Sequence, residues 1–120
     1  MNEVVLHVEG QDAFVARTMR MARKLDRGDR RKAPAHISFG SMEGLLKVLT
    51  PNRWRLLGTL RQNGPCSIRA LAKALERDYR GVHGDVTVLI DAGLVVRDHE
   101  GAVRVPWKRI TAEMALDSAA

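Results

Sequence analysis

The sequence predicts a mainly α-helical fold with a small β component, and three observations carry that prediction. Apolar residues recur at helical spacing in three successive short segments, 51–63, 67–76 and 77–93. Each segment opens on a residue suited to cap a helix: Thr50 before Pro51, Ser67, and Asp78. Immediately after the third, Leu94 and Val96, then Val103 and Val105, alternate with polar residues around Asp98-His99-Glu100-Gly101. That is the pattern of a β-hairpin with Gly101 at the position needing positive φ.

Taken in order, residues 3–8 (EVVLHV) read as a strand that Gly10 ends. Asp12 can cap a helix to about Leu25. Val15, Met19 and Ala22 lie beside Phe14, Met21 and Leu25, which predicts a wide buried face. Arg17, Arg20, Lys24 and Arg27 form a basic ridge on another side, suited either to phosphate contact or to a solvated face of a dimerisation helix. From Asp26 to Pro34 the chain is polar and reads as a linker. Residues 36–39 form a short extended piece, and Ser41 starts a brief helix with Leu45, Leu46, Val48 and Leu49 inward.

The helix opening at Thr50-Pro51 runs to Asn63 and stops at Gly64-Pro65. Trp54 reads as a core anchor beside Leu57 and Leu60, with Leu56 flanking. After a short extended link at Cys66-Ser67, Ser67 caps a helix that turns Ile68, Leu71, Ala72 and Leu75 inward. Three residues, Glu76 to Asp78, then connect it to the helix of the segment Arg77–Gly93. Its stripe Val82, Val86, Leu89 and Ile90 is apolar, Asp78 caps its start, and Gly93 closes it in a left-handed conformation. Helix, short turn, helix and hairpin together predict a winged helix-turn-helix with an N-terminal strand-helix extension. The tail 109–116 alternates at Ile110, Ala112, Met114 and Leu116, which fits a strand able to pair with strand 3–8 of the same or a second subunit. The expected organisation is an N-terminal strand, basic helix and linker at 1–35, the helical domain at 36–107, and a tail at 108–120.

The chain has 120 residues, a formal net charge of +6 and a pI near 10.2. Such a balance favours polyanions, nucleic acid before membrane, since no long apolar span occurs. The excess charge is concentrated: Arg17 to Lys32 holds eight Lys/Arg against two Asp, and the remainder holds twelve of each sign. The single cysteine, Cys66, and the lack of a secretory leader pattern point to the cytoplasm.

No chemistry for catalysis is legible. The four histidines are scattered, one cysteine excludes the usual zinc spacings, and no glycine-rich phosphate loop occurs, so no metal or cofactor is expected. Ser67, His83 and Asp85 can be written as a triad. Ser67 is better used as a cap, however, and residues 83 and 85 diverge by about 200° on a helix. The expectation is a non-enzymatic protein.

A winged helix would present the outer face of the 77–93 helix to the major groove of duplex DNA. There Arg80, His83 and Thr87 would read bases, with Arg77, Tyr79 and Gly84 on the same helix. Ser67 and Arg69 would hold phosphate, and Arg97, His99 and Arg104 would reach from the hairpin. Arg27, Arg30, Arg31 and Lys32 would add phosphate contacts.

The sequence also carries the runs Leu49-Thr50-x-x-Arg53-Trp54, Ser67-Ile68-Arg69-x-Leu71-Ala72, Arg77-Asp78-Tyr79-x-x-Val82-His83-x-Asp85-Val86, Gly93-Leu94-Val95 and Val105-Pro106. Across 36–107 these resemble the MarR-like winged-helix regulators of bacteria and archaea, and more closely a group of small DNA-binding proteins with that core. The resemblance implies a homodimeric transcriptional regulator, a repressor by expectation. Some relatives look like antitoxins that also bind a partner toxin, and an RNA-binding winged helix is the third alternative. Gly84, and often Gly81, stands where that pattern carries a larger polar or basic residue.

Overall fold

The computed structural model describes residues 3–26 and 34–116. It is a mixed α/β structure, roughly half helical, with small sheets. Among the described residues the order is β1 (Glu3–Val8), α1 (Gln11–Asp26), β2 (Ala35–Phe39), α2 (Met42–Val48), α3 (Pro51–Asn63), α4 (Ile68–Leu75), α5 (Tyr79–Asp91), β3 (Val96–Arg97), β4 (Val103–Arg104) and β5 (Arg109–Ala112). By contact the chain groups into two units. One is residues 46–108; the other joins Glu3–Leu45 to the segment from Arg109 onward. The first unit is therefore, in chain order, an insertion between β2 and β5.

In the second unit β1 is the central strand of a parallel sheet ordered β2-β1-β5. Parallel neighbours need a crossover, and α1 supplies it between β1 and β2. The register pairs Val4 with Ala35 and Ile110, and Leu6 with Ile37 and Ala112, so one face is apolar. Val4 and Leu6 are fully buried. The other face carries Val5, His7, His36, Ser38 and Thr111. The tail strand thus pairs within its own chain, in parallel with β1, and ends at Ala112. Met114 and Leu116, the continuation of its alternation, are exposed.

α1 departs from expectation. Phe14, Val15, Met19 and Met21, expected to form a buried face, are 39–55% exposed. Among the described residues no element lies across that arc. The helix instead meets the sheet through Arg17, which reaches Glu9 and Ser38. α2 buries Leu45 but leaves Leu46 outside, because adjacent helical residues diverge by about 100°.

The first unit is built on three helices whose ends are specified locally. Thr50 accepts from the Arg53 amide, Ser67 from Ala70 and Asp78 from Gly81, so each helix start has a capped orphan N–H. α5 ends as a Schellman turn: the Leu94 amide donates to the Leu89 carbonyl and that of Gly93 to Ile90, with Gly93 at φ 88°. α4 ends in the same way, Arg77 to Ala72 and Glu76 to Lys73, but its left-handed residue is Glu76 at φ 54°. A Cβ there crowds the backbone. Glu76→Gly is expected to raise the unfolding free energy by about 0.5–1 kcal/mol, as measured in urea; a decrease would show that the Glu76 side chain makes a compensating contact.

The core comprises Leu56, Leu57 and Leu60 of α3, Ile68, Leu71 and Ala72 of α4, and Val82, Val86 and Leu89 of α5, with Leu94, Val95 and Val103. Trp54, expected as a core anchor, is 49% exposed. Leu56, Leu57 and Leu60 define the buried direction of α3, and Trp54 projects about 115° away from it. β3 and β4 pair antiparallel, Val96 with Arg104 and Arg97 with Val103. The Asp98 side chain accepts from the Glu100 and Ala102 amides, and Gly101 turns the chain at φ 89°. Cys66 pairs with Val103 as an isolated antiparallel bridge, which fastens the hairpin to the residue just before the α4 cap.

Candidate functional site

Most polar residues in the sequence motifs hold the first unit together. Asp85 on α5 accepts from Arg53 Nε at 3.1 Å and from an Arg77 amino group at 2.9 Å. Arg53 also donates to the Lys47 and Val48 carbonyls at 2.7 and 3.3 Å. One carboxylate thus ties the start of α3, the α4–α5 turn and the middle of α5 together, with all three side chains largely covered. Arg77, one of the expected DNA-contacting residues, is placed in this network. Arg61 donates to the Trp107 carbonyl at 2.6 Å and also to that of Lys108, while Trp107 Nε1 donates to the Gly93 carbonyl at 2.9 Å. Burial raises the Cys66 thiol above its ordinary value, which disfavours the thiolate.

What remains is a surface formed by the starts of α4 and α5. The Arg69 guanidinium lies over the Tyr79 ring, 4.7 Å from its centroid. Tyr79 in turn packs against His83, with ring centroids 5.7 Å apart. Tyr79, Arg80 and His83 line an open concavity of about 340 Å³. Arg80 is exposed and has no hydrogen-bond or ion-pair partner among the described residues. The Thr87 hydroxyl donates to the His83 carbonyl at 3.0 Å. A Cβ at Gly84 would meet nothing within 4 Å, so packing within the chain does not require glycine there. At Gly81 it would come within 3.1 Å of the Asp78 cap, a tighter place.

Ser67 accepts the Ala70 amide with its hydroxyl, at the end of the link that pairs with the hairpin. Arg97, His99 and Arg104 are exposed on that hairpin. Of the expected set, the structure brings Arg69, Tyr79, Arg80 and His83 into one cluster, with Gly84 and Thr87 further along the same helix. Arg27, Arg30, Arg31 and Lys32 lie outside the described residues.

The second unit holds a polar cluster that sequence reasoning missed. Glu9, just past β1, accepts from the Ser38 hydroxyl at 2.6 Å and from Arg17 of α1 at 3.0 Å. His7 Nε2 lies 3.2 Å from Ser38 Oγ, and the His7 and His36 rings are 4.9 Å apart. The β1 end and the β2 end of this cluster are about thirty residues apart in sequence, and the parallel register that joins them left no local signal. Hydrogen bonds from Arg17 and then Ser38 hold the Glu9 carboxyl below its ordinary value. Burial, then the charges of Arg17 and His7, lowers His36, whose Nδ1 is buried without a partner. Glu9 and Glu113 act in the opposite sense on His36.

Both groups bind protons more weakly folded than unfolded, so each contributes stability at high pH that is lost on acidification. Loss from His36 is expected to begin as pH falls below 6.5, its ordinary value, and loss from Glu9 below 4.5. The thermal midpoint should therefore fall in two stages on acidification, the first below pH 6.5 and the second below pH 4.5. In His36→Gln the first stage should disappear. A midpoint independent of pH above 5 in the parent would contradict this account.

Among the described residues no group of three or more His, Cys, Asp or Glu side chains stands close enough to hold a metal ion, and no helix is long and apolar enough to cross a membrane. Residues 48–112, more than half of the chain, match the HVO_A0114 family. The chain belongs to the HVO_A0114 family. The match spans the three helices of the first unit, the hairpin and β5. No curated protein and no solved structure gives a significant match. In this HVO_A0114 member the clustered side chains Arg69, Tyr79, Arg80 and His83 all fall inside the matched region.

Proposed function

We propose that this HVO_A0114 protein is a winged-helix, sequence-specific binder of duplex DNA that acts as a homodimeric transcriptional regulator. The observation that carries the reading is the outer face of α5. Arg80 is exposed there without a partner among the described residues, beside Arg69 stacked on Tyr79, in a unit where α4, a three-residue connection, α5 and a hairpin follow one another. A half-exposed helix start bearing arginine and aromatic groups matches what a groove-reading helix requires. The net charge of +6 supports a polyanionic partner.

Selection of bound sequences from random duplex DNA tests the reading. Enrichment of a two-fold related site supports it. Equal retention of duplex RNA, or no enrichment, overturns it. Replacing Arg27, Arg30, Arg31 and Lys32 together is expected to flatten the salt dependence, by about 0.9 in the log–log slope for each phosphate no longer neutralised. An unchanged slope removes that segment from the DNA.

The uncovered arc of α1 supports a second copy as partner. Phe14, Val15, Met19 and Met21 leave a wide apolar arc of α1 exposed. An antiparallel pairing about a two-fold axis sets Asp12 at one end against Arg23 and Lys24 at the other. Light scattering of the parent and of Met19→Glu distinguishes a dimer held by this strip from a monomer.

A further inference from the structure

On the outer face of α5, Tyr79, Arg80 and His83 line the concavity and Thr87 lies one turn on. Thr87 gives its hydroxyl proton to the His83 carbonyl, so that oxygen is left only as an acceptor. Gly84 offers no side chain, and among the described residues no atom lies within 4 Å of where its Cβ would stand. Tyr79 is 41% exposed, with one ring face against Arg69 and its ring tilted toward His83. On this face Arg80 combines a long side chain with a fork of donors that has no partner among the described residues. The concavity is therefore walled by two rings and one guanidinium, with bare backbone one turn on.

The major groove displays one feature recognised without hydrogen bonds, the C5-methyl group of thymine. An arginine fork, for its part, fits the O6 and N7 acceptors of guanine. Resting on the DNA reading above, we propose that the Tyr79–His83 concavity takes the C5-methyl of a thymine adjacent to a guanine held by Arg80. Gly84 is the point where the helix backbone comes closest to the bases. On this account a side chain at Gly84 is excluded by the partner and not by the fold, which matches the open space around it. The two contacts together specify a thymine–guanine step in each half-site. Hydrogen bonds from Tyr79 and His83 are not needed for the discrimination.

The decisive experiment uses the full-length protein and the duplex it selects. Each thymine is replaced in turn by deoxyuridine, which removes one methyl group and leaves pairing intact. At one thymine per half-site, next to the guanine whose replacement is without effect in Arg80→Ala, affinity is expected to fall about three- to tenfold, the scale of one buried methyl group. In Tyr79→Ala the thymine-to-deoxyuridine ratio should fall to about one, while discrimination for guanine persists. Gly84→Leu should abolish selective binding and leave the melting temperature unchanged or higher, since leucine favours the helix. If every deoxyuridine duplex binds as the parent does, the methyl contact is wrong while the DNA reading stands. If no duplex is retained at all, the DNA reading fails and this inference with it.

Discussion

Arg80→Ala is expected to weaken binding to the selected duplex by about one to two orders of magnitude, the scale of a single bidentate pairing with a base. Binding to random duplex should weaken only about threefold, because one surface charge among many is removed. The neighbours of Arg80 in the same motif are committed: Asp78 caps α5, Arg77 and Asp85 pair with each other, and Val82 and Val86 are buried. Arg80 has no such commitment among the described residues. Competition titrations with selected and random duplexes measure both effects. Equal weakening on the two would assign Arg80 to phosphate contact. Arg77→Ala gives the contrast, since it breaks the Asp85 network and should lower stability before it alters sequence preference.

Leu89→Ala is expected to lower the unfolding free energy by about 2–5 kcal/mol, a large fraction of the stability of a small domain. Leu89 is fully buried on the inward stripe of α5, and its carbonyl receives both the Leu94 and Val95 amides. The side chain thus sits where the helix core meets the chain that leads into the hairpin. Truncation leaves a cavity among leucines that rigid helices cannot close. Urea unfolding followed by circular dichroism reads the effect. Thr87→Ala, two residues away on the exposed face, should change stability by no more than about 0.5 kcal/mol. A change below about 1 kcal/mol for Leu89→Ala would mean that α5 is not held by its buried stripe.

The sequence alone was sufficient wherever the controlling interaction is local. Thr50, Ser67 and Asp78 cap helices through bonds to amides three residues on, so their roles follow from spacing. Gly93 and Gly101 adopt positive φ because the turns they occupy require it. The buried stripe of α5 follows from its period, and Arg80 and His83 fall outside that stripe by the same geometry. Glu76 was not legible in this way, since a left-handed glutamate contradicts local preference.

Tertiary structure decided everything that depends on which distant segments meet. Period-two alternation marks Glu3–Val8 and Arg109–Ala112 as strands but does not say that both join β2 in one parallel sheet, with 46–108 inserted between. Register then gathers His7, Glu9, Arg17, Ser38 and His36, a cluster for which no residue spacing gives a cue. The same limit explains Trp54 and α1. Apolar periodicity marks a face that is able to be buried, but burial needs an opposing surface. For α3 that surface meets Leu56, Leu57 and Leu60 and leaves Trp54 outside; for the apolar arc of α1 the described residues supply none. Capping and turn chemistry act over three or four residues and are therefore written in the sequence, whereas sheet order, ion-pair networks and the covering of an apolar face are properties of the folded chain.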